Sequence, residues 1–439
     1  MAAPVICKPV ARLFNLSLSS GKVPKQWKTA NITPVAKIKN PLVAADYRPI
    51  SVTSILSRCL EKAIVKRNIY PVLSIPSILT CLADQYAFRP TGSTSAAIIA
   101  LLQSATDMLQ EEPFVRLIAL DFSKAFDTLR HASLMSKLHE VGVNDQTFNW
   151  ILSFLSGRTH CTKKGNNSSS SESFNAGVVQ GSAIGPISYV ICASGLHPVC
   201  PTNKMFKYAD DTYLLVPASA SSTVQIELDN VTEWATNNNL KLNLAKSAEM
   251  IFTGRSGRNK TGVDPLPIPN VPRVTSMVIL GITVMANLSM DDHIADVVSK
   301  SNSSMFALRT LRNMGLNPDS LWTVCRATMI SKIVYGSAAW RGFATQAQVD
   351  RLEAIIKRAK RGCLYPHSGP SISDIMDDSD TALFSKVLVN DKHVLHGLLP
   401  PVKDTTYNLR PRAHDRILPV KNSLSIKNFL HRLLYRDIY

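Results

Sequence analysis

The chain has 439 residues, which is enough for two or three domains of ordinary size. Apolar residues make up 45% and charged residues 18% of the chain, so a large core is available and general disorder is excluded. The net charge of +17 is divided into +10 over residues 1–100, −3 over 101–250 and +10 over 251–439. An acidic centre between basic flanks indicates polyanion binding around a site that requires carboxylates.

The cysteines and the apolar segments exclude other classes of protein. The eight cysteines form no Cys-x2-Cys or Cys-x4-Cys pair, so zinc fingers are not indicated, and scattered thiols fit an intracellular location in the nucleus or cytoplasm. The uncharged stretch 174–203 contains Gly185 and Pro186, and its best apolar run, 187–196, is about half of a membrane span. We therefore expect a buried turn and helix there, and no membrane partner.

The first half of the chain predicts mixed helices and strands. Residues 1–75 combine short helical patterns with proline-bounded extended pieces. Apolar residues at helical spacing predict a helix over 93–112, capped by Ser93 or Thr94, and the run 115–120 predicts a buried strand. Two more helices are predicted, near 132–141 and 145–155. The Ser-rich tract 163–173 predicts a loop without an assigned function.

The second half predicts strands followed by helices. Short apolar strands are expected at 204–208 and 212–216, then a helix over 222–239, two paired strands within 240–253 and a loop or linker at 254–272. After the apolar run 277–284, further helices are expected from a cap at Asp291 or Asp292, near 318–339 and near 347–363. Mixed strands and helices followed by helices alone indicate an α+β body and an α-helical domain.

Two groups of acidic residues carry the strongest chemical signal. Asp210 and Asp211 lie between two short strands, where adjacent carboxylates are costly unless a cation neutralises them, although aspartate is also common in solvated turns. Asp121 ends the apolar strand, with Asp127 six residues further on. A strand end and a hairpin turn can bring Asp121 and Asp210 side by side. Such a pair could bridge two Mg2+ ions for phosphoryl or nucleotidyl transfer.

Seven short segments, in order, resemble the motifs of reverse transcriptases. Segments 121–127, 180–186 and 208–211 resemble polymerase motifs A, B and C; segments 47–51 and 85–90 resemble fingers motifs, 239–246 motif D and 280–282 the start of motif E. Phe126-Asp127 closing motif A, the long segment from Trp27 to Arg67 and the Ser-rich loop before motif B are similar to non-LTR (LINE-type, jockey-like) retrotransposons.

The resemblance implies a fold and an activity. The fold would be a right-hand polymerase of the α+β class with an antiparallel palm sheet: fingers and palm over residues 18–285, a helical thumb over 286–345 and a basic C-terminal extension over 346–439. The activity would be RNA-directed DNA synthesis in target-primed reverse transcription, adding dNTPs to a primer 3′-hydroxyl with two Mg2+ ions, or Mn2+ in their place. The partners would be an RNA template, a DNA primer and the element's own RNA.

The resemblance also implies metal and nucleotide contacts. Asp121 and Asp210 would hold both metals, with Asp211 as a supporting carboxylate and the main-chain carbonyl of Phe122 as a minor ligand. Phe126 would lie under the incoming sugar and exclude a 2′-hydroxyl; the alternative is an ordinary core phenylalanine.

Further residues would contact the nucleotide, the leaving group and the nucleic acid. Gln180 and Gly181 would approach the nucleotide, Arg48 and Lys37 would grip the triphosphate, and Lys246 would protonate the pyrophosphate. Arg89 would contact the template or hold the fingers. On a predicted amphipathic helix, a basic face would bind template–primer phosphates or else be a solvated surface; it carries Lys357, Arg358 and Arg361.

Two alternatives remain from the sequence. One is a decayed copy of an element that binds RNA without catalysis, although the intact acids argue against it. The other is a domesticated or intron-type reverse transcriptase, for which the jockey-like flanking motifs offer less support.

Overall fold

The computed structural model describes residues 3–123, 125–253, 265–403 and 414–436. Helices occur throughout these ranges. In chain order they are α1 (Ala3–Ser19), α2 (Ile55–Ile64), α3 (Tyr70–Leu73), α4 (Pro76–Cys81), α5 (Thr94–Glu111), α6 (Ala125–Thr128), α7 (His131–Glu140), α8 (Asp145–Leu155), α9 (Ile184–Cys192), α10 (Val224–Asn237), α11 (Asp291–Asn313), α12 (Pro318–Cys325), α13 (Ser331–Val334), α14 (Ser337–Trp340), α15 (Gln346–Arg361), α16 (Ile372–Val389) and α17 (Phe429–Leu434).

The strands are short and most of them pair antiparallel. In chain order they are β1 (Thr29–Ala36), β2 (Tyr47–Val52), β3 (Phe114–Leu120), β4 (Phe122–Ser123), β5 (Arg158–Lys164), β6 (Asn167–Ser168), β7 (Glu172–Phe174), β8 (Lys204–Tyr208), β9 (Asp211–Pro217), β10 (Lys241–Leu242), β11 (Ala248–Thr253), β12 (Ser276–Ile279) and β13 (Ile282–Met285). Helices and strands together confirm the predicted α+β class.

The chain folds into two compact units, each built from three separate stretches. Unit 1 comprises residues 1–90, 121–199 and 226–243, and unit 2 comprises 91–120, 200–225 and 244–439. The predicted domain boundaries at residues 285 and 345 divide the chain by polymerase subdomain. The two compact units divide it by packing, so they do not test those boundaries.

Unit 1 combines a small sheet with a helical core. β1 pairs antiparallel with β2 and parallel with β5, and β5 pairs antiparallel with β6 and β7. In the core, the rings of Trp150 and Phe154 are stacked with centroids 5.5 Å apart, and the indole N–H of Trp150 donates to Ser17 Oγ at 3.0 Å. Buried rings of this size contribute much of the apolar area that stabilises a domain.

Unit 2 contains a four-stranded antiparallel sheet in the order β11-β3-β9-β8, together with the hairpin of β12 and β13. α5 begins at a Ser93 cap, whose Oγ accepts from Ala96 N–H at 3.1 Å, and is buried from Ala96 to Thr106. The buried carboxylate of Glu249 on β11 binds the guanidinium groups of Arg116 and Arg273, so its charge is paired inside this unit.

The predicted elements that depend on local pattern are confirmed. The helices at 93–112, 132–141 and 145–155 and the strands at 204–208 and 212–216 lie within one or two residues of α5, α7, α8, β8 and β9. The uncharged stretch contains the buried helix α9, as expected. Within the described ranges, no helix is long and apolar enough to span a membrane.

Several predicted elements are wrong in detail. The Ser-rich tract 163–173 contains the end of β5, all of β6 and the start of β7, because pairing with β5 outweighs its polar composition. The two strands within 240–253 exist but do not pair with each other: β10 pairs with β4 and β11 with β3. Of the predicted loop 254–272, residues 254–264 lie outside the described residues.

The helical region after residue 290 also differs from the prediction. The cap position of α11 is Met290, and Asp291 and Asp292 form its first turn, where carboxylates favour the helix dipole. The predicted helix over 318–339 is interrupted by a wide π turn after Cys325 and by Gly336, whose φ of 61° ends the regular helical path before α14.

Candidate active site

The first predicted acid follows the central strand of the unit 2 sheet. β3 lies between β11 and β9, with Leu117, Ile118 and Leu120 buried. Its last residue, Leu120, is paired with Thr212 at the start of β9, and Asp121 is the next residue of the chain. A strand buried on both sides thus ends directly at a carboxylate, as the sequence predicts.

The second acidic pair occupies a tight hairpin in unit 2. Tyr208 and Asp211 are paired across β8 and β9, so Ala209 and Asp210 alone form the turn. Ala209 has a φ of 59°, a conformation that costs a residue with a side chain about 1–2 kcal/mol. Burial raises the pKa of the Tyr208 phenol, and the phenol of Tyr335 and the Asp211 carboxylate raise it further. This tight hairpin places two consecutive carboxylates, Asp210 and Asp211, at the end of the sheet.

The turn of the second unit 2 hairpin lies close to these residues. Leu280 and Gly281 join β12 to β13 with φ values of 47° and 87°, as expected for a two-residue turn with both residues left-handed. The Tyr335 hydroxyl donates to Leu280 O at 2.9 Å, and its ring lies 3.2 Å from where a Cβ on Gly281 would be. Burial and the negative charge of Asp211 raise the pKa of the Tyr213 phenol.

Unit 1 holds the residues predicted to contact the nucleotide. Gln180 Nε2 donates to Asp127 Oδ1 at 2.6 Å, and Gln180 O accepts from Ser51 N–H at 2.7 Å. Gly181 has a φ of 108°, and a Cβ there would lie 2.6 Å from Ser51 O. Gly181 therefore has a backbone conformation that only glycine adopts without strain.

The ring of Phe126 lies in the same unit, on the short helix α6. Its centroid is 5.0 Å from that of Tyr189 on α9, and the side chain is half-buried against the core. Phe122, whose carbonyl is the predicted minor metal ligand, lies in β4 opposite Leu242 and packs its ring 5.6 Å from Trp234. Asn243 N–H donates to the carbonyl of Asp121 at 2.8 Å, which fixes the chain where motif A begins.

A cavity of about 310 Å³ opens beside the Gln180 side chain in unit 1. It lies between the sheet of β1, β2 and β5 and the segment leading into motif B. Its lining mixes apolar and hydrogen-bonding groups and includes Ser51, Asp127, His160, Phe174 and Gln180. An apolar lining with a few hydrogen-bonding groups is typical of sites for small molecules.

The predicted basic contacts in unit 1 differ in exposure. Arg48 lies exposed on β2, opposite Val35. Lys37 is exposed, and its ammonium donates to Ala45 O at 2.9 Å. Arg89 donates to the carbonyls of Leu82 and Gln85, and burial lowers the pKa of its guanidinium. Of its two predicted roles, these bonds favour holding the fingers segment together.

The predicted residues of unit 2 that remain are basic and lie outside the sheet. Lys246 is exposed in the loop between β10 and β11. On α15, Lys357 and Arg361 are exposed, whereas Arg358 Nη2 donates to Asn302 Oδ1 at 2.9 Å. The opposite side of α15 is buried as predicted, through Leu352, Ile355, Ile356 and Ala359.

Sequence reasoning missed several residues that build the site. Gly177 lets the chain before motif B approach α6: its N–H donates to Leu129 O at 2.8 Å, and a Cβ there would lie 2.4 Å from Asp127 O. The Asn-Ala-Gly sequence at 175–177 is a turn signal that could have indicated it. Glu61, which binds the motif B turn, is one of only three acidic residues among residues 1–100.

The predicted metal ligands fit a hard divalent cation by their chemistry. Carboxylate and main-chain carbonyl oxygens are the donors that Mg2+ and Mn2+ prefer. Asp210 lies in a hairpin turn, Asp211 begins the strand after it, and Asp121 follows a buried strand. In the ranges that the structure describes, no three His, Cys, Asp or Glu side chains form a group that could hold a metal ion.

Comparison with known proteins agrees with this arrangement. A family profile described as "Reverse transcriptase (RNA-dependent DNA polymerase)" matches residues 36–284. The RNA-directed DNA polymerase from mobile element jockey of Drosophila melanogaster is 29% identical over 301 residues, which cover 66% of this chain and 32% of that protein. The probable RNA-directed DNA polymerase from transposon BS of the same organism is 27% identical over 384 residues, which cover 83% and 41%.

Solved structures give a more distant match. Apo telomerase from Candida tropicalis aligns with a TM-score of 0.44 and 11% identity over 90% of this chain and 74% of that chain. The chain spans about a third to two fifths of the length of the two curated relatives above.

The antiparallel sheet with carboxylates at its hairpin turn defines a protein of the polymerase palm class. Because the family profile covers more than half of its residues, the chain belongs to the reverse transcriptase family. This confirms the predicted right-hand polymerase fold class, and the jockey and BS relatives confirm the resemblance to non-LTR retrotransposons.

Proposed function

We propose that the protein is an RNA-directed DNA polymerase that adds dNTPs to a primer 3′-hydroxyl and serves target-primed reverse transcription of a non-LTR element. The observation that carries this proposal is the strand register of unit 2. Asp210 lies in the hairpin turn and Asp211 begins β9, which pairs with β3, the strand that runs into Asp121. Consecutive carboxylates at a hairpin turn, and a carboxylate directly after the partner strand, suit transfer of a nucleotidyl group.

Asp121, Asp210 and Asp211, with the carbonyl of Phe122, would hold two Mg2+ ions, or Mn2+ in their place. Bound divalent metal would lower the pKa of the primer 3′-hydroxyl. It would also neutralise negative charge on the triphosphate and on the leaving pyrophosphate. Lys246 would donate the proton that the pyrophosphate oxygen takes up, since an exposed ammonium is a suitable general acid.

The nucleotide contacts proposed for unit 1 follow from the groups on its surface. The exposed Arg48 guanidinium would bind the triphosphate, with Lys37 contributing charge beside it. Gln180 and Gly181 would contact the nucleoside, and the cavity beside Gln180 supports this with room next to the amide. The Phe126 ring would exclude a ribose 2′-hydroxyl and so select dNTPs.

The proposed nucleic-acid contacts lie on basic surfaces. Lys357 and Arg361 on α15 would bind phosphates of the template–primer duplex, with Arg358 and Arg89 contributing charge while they hold their own segments. The subdomains would be fingers and palm at 18–285, thumb at 286–345 and a C-terminal extension at 346–439. An intracellular site of action, in the nucleus or cytoplasm, is part of this proposal, and the lack of a disulfide among the described cysteines supports it.

Primer extension tests this proposal. A DNA primer annealed to an RNA template should be extended by the wild-type protein in Mg2+, and the product should disappear when the metal is removed by a chelator. Asp121→Asn and Asp210→Asn should lower the rate by at least about 1,000-fold while leaving binding of the RNA–DNA duplex unchanged. Salt-sensitive RNA binding without any extension by the wild-type protein would instead support a decayed element copy.

A further inference from the structure

We propose that Glu61 on α2 is a positioning residue for nucleotide binding, which holds the Gln180–Ala183 turn against the strand that carries Arg48. The inference rests on the proposed function, in which Arg48, Gln180 and Gly181 contact the incoming dNTP. Glu61 itself would not touch the substrate, because it acts through the main chain at Ala183.

The Glu61 carboxylate joins two separate elements. Its side chain lies in the interior of unit 1, with 0% of the residue exposed. Oε1 accepts from the Ser57 hydroxyl at 2.7 Å within α2, and Oε2 accepts from the Ala183 N–H at 2.7 Å in the turn that precedes α9. Hydrogen bonds to a charged acceptor are short and strong, and a buried carboxylate that loses them is costly. The hydrogen bond from Ala183 to Glu61 therefore holds the Gln180–Ala183 turn against α2.

Two more contacts fasten the same turn to β2. Ser51 N–H donates to Gln180 O at 2.7 Å, and Gly181 lies so close that a Cβ there would be 2.6 Å from Ser51 O. β2 ends at Val52 and α2 begins at Ile55, so the strand and the helix that carries Glu61 are almost continuous. The Gln180–Ala183 turn is thus bound both to β2, through Ser51, and to α2, through Glu61.

Arg158 is a second buried charged side chain in unit 1, and Glu61 acts on it electrostatically. Its guanidinium is also buried, lies 4.4 Å from the centroid of the Phe154 ring and donates to Phe154 O at 3.1 Å. Burial lowers the pKa of Arg158 to about 10, and the negative charge of Glu61 opposes that shift. The electrostatic interaction between these two buried side chains offsets part of the cost of burying them.

The consequence is that two parts of the proposed nucleotide site are preset relative to each other. Arg48 lies in β2, and Gln180 and Gly181 lie in the turn that Glu61 and Ser51 hold to that segment. A ligand that binds preordered groups avoids the cost of ordering them. Loosening the turn should weaken dNTP binding more than it slows the chemical step at saturating dNTP, and therefore raise KM with little change in kcat.

Glu61→Gln tests this, because it preserves the shape of the side chain but removes the negative charge, so that the hydrogen bond to the Ala183 N–H becomes a weaker neutral one. In steady-state extension of an oligo(dT) primer on a poly(rA) template, KM for dTTP should rise about ten-fold, equivalent to about 1.4 kcal/mol. The kcat should stay within about two-fold of the wild-type value.

Glu227→Gln is the matched control. Glu227 is likewise 0% exposed in unit 1, and its Oε2 accepts a main-chain N–H, that of Val199, at 3.0 Å. It shares the burial and the type of bond, but its partner lies outside the Gln180–Ala183 turn. The control should lose a similar amount of thermal stability while keeping the wild-type KM for dTTP.

The outcomes separate the inference from the function it rests on. An equal dTTP KM in the Glu61 and Glu227 variants would overturn the positioning role and leave the polymerase proposal standing. Absence of extension by the wild-type protein would overturn both. If Glu61→Gln does not fold, Ser57→Ala removes only the donor to Oε1 and should raise the dTTP KM about two- to three-fold, and an unchanged KM there would also contradict the inference.

Discussion

Gly177 shows at a single residue how motifs A and B are brought together. Its φ is 80°, and its N–H and that of Val178 donate to Leu129 O and Phe126 O at 2.8 and 2.7 Å. A Cβ on Gly177 would lie 2.4 Å from Asp127 O, closer than unbonded atoms approach. The approach of the motif B segment to α6 therefore requires a residue without a side chain.

The prediction from this geometry is that Gly177→Ala is more destabilising than Gly142→Ala. Gly142 has nearly the same φ, 79°, but no atom lies within 4 Å of where its Cβ would be. Gly142→Ala should cost about 1 kcal/mol in the free energy of unfolding, for the left-handed backbone alone. Gly177→Ala should cost at least about 2 kcal/mol more, because backbone must move. Urea denaturation measures both values, and equal losses would contradict the steric account.

Phe126 carries the prediction on sugar selection. Phe126→Val replaces the ring that would lie under the incoming sugar with a smaller side chain. The preference for dNTPs over rNTPs should therefore fall about 10–100-fold in kcat/KM. Phe148→Val is the control, since Phe148 is also half-buried against the core of unit 1 and loses the same volume. Single-nucleotide addition with dTTP and UTP measures the ratio. Unchanged selectivity in Phe126→Val would assign Phe126 to the core alone.

At the scale of elements, α11 contains a buried histidine with consequences for pH. His293 is 4% exposed, and its ring centroid lies 5.4 Å from that of Trp340 in an edge-on arrangement. Its Nε2 has no hydrogen-bond partner among the residues that the structure describes. Burial lowers its pKa from 6.5 to about 4, with Lys300 adding to the shift and Asp296 opposing it. The folded protein therefore requires the neutral imidazole.

The stability that His293 confers should be complete above pH 6.5 and be lost as the pH falls towards 4, because the unfolded chain binds a proton there and the folded one does not. The loss should amount to about 3 kcal/mol between pH 7 and pH 4. The free energy of unfolding of His293→Leu should fall less steeply over that range. The same slope in variant and wild type would show that other groups account for the pH dependence.

Elements defined by local pattern were predictable, and those defined by distant pairing were not. The cap and apolar spacing of α5 and the two apolar runs around Asp210 are present in the sequence itself. By contrast, β6 lies within the Ser-rich tract and becomes a strand only because β5 supplies its pairing partner. β10 and β11 are adjacent in sequence but pair with different partners.

The same division applies to the residues of the site. Asp121, Gln180 and Asp210 were predicted from motifs, because their side-chain chemistry matches the proposed reaction. The roles of Glu61 and Gly177 depend on which main-chain groups lie opposite them, and the sequence contains no record of those partners. Arg89 carries a charge that suggests a ligand, but its bonds to Leu82 and Gln85 carbonyls appear only in the folded chain.

At the scale of the whole molecule, the basic flanks should act through salt-dependent binding. Lys357 and Arg361 are exposed on α15, and each phosphate contact contributes about −0.9 to the slope of log affinity against log salt concentration. Replacing both with alanine should reduce the slope for an RNA–DNA duplex by about 1.5–2. Lys386→Ala, an exposed lysine on α16, should leave it nearly unchanged. An unaltered salt slope in the double variant would show that Lys357 and Arg361 are solvated surface residues without phosphate contacts.

The most direct test of the central claim is addition of one dNTP to a DNA primer on an RNA template by Asp210→Asn, with Asp378→Asn as the control. Asp378 is an exposed carboxylate on α16, so its variant has the same change of charge outside the proposed site. We expect Asp378→Asn to extend the primer at the wild-type rate and Asp210→Asn to give no detectable product while binding the duplex equally well. Extension at the wild-type rate by Asp210→Asn would contradict the account.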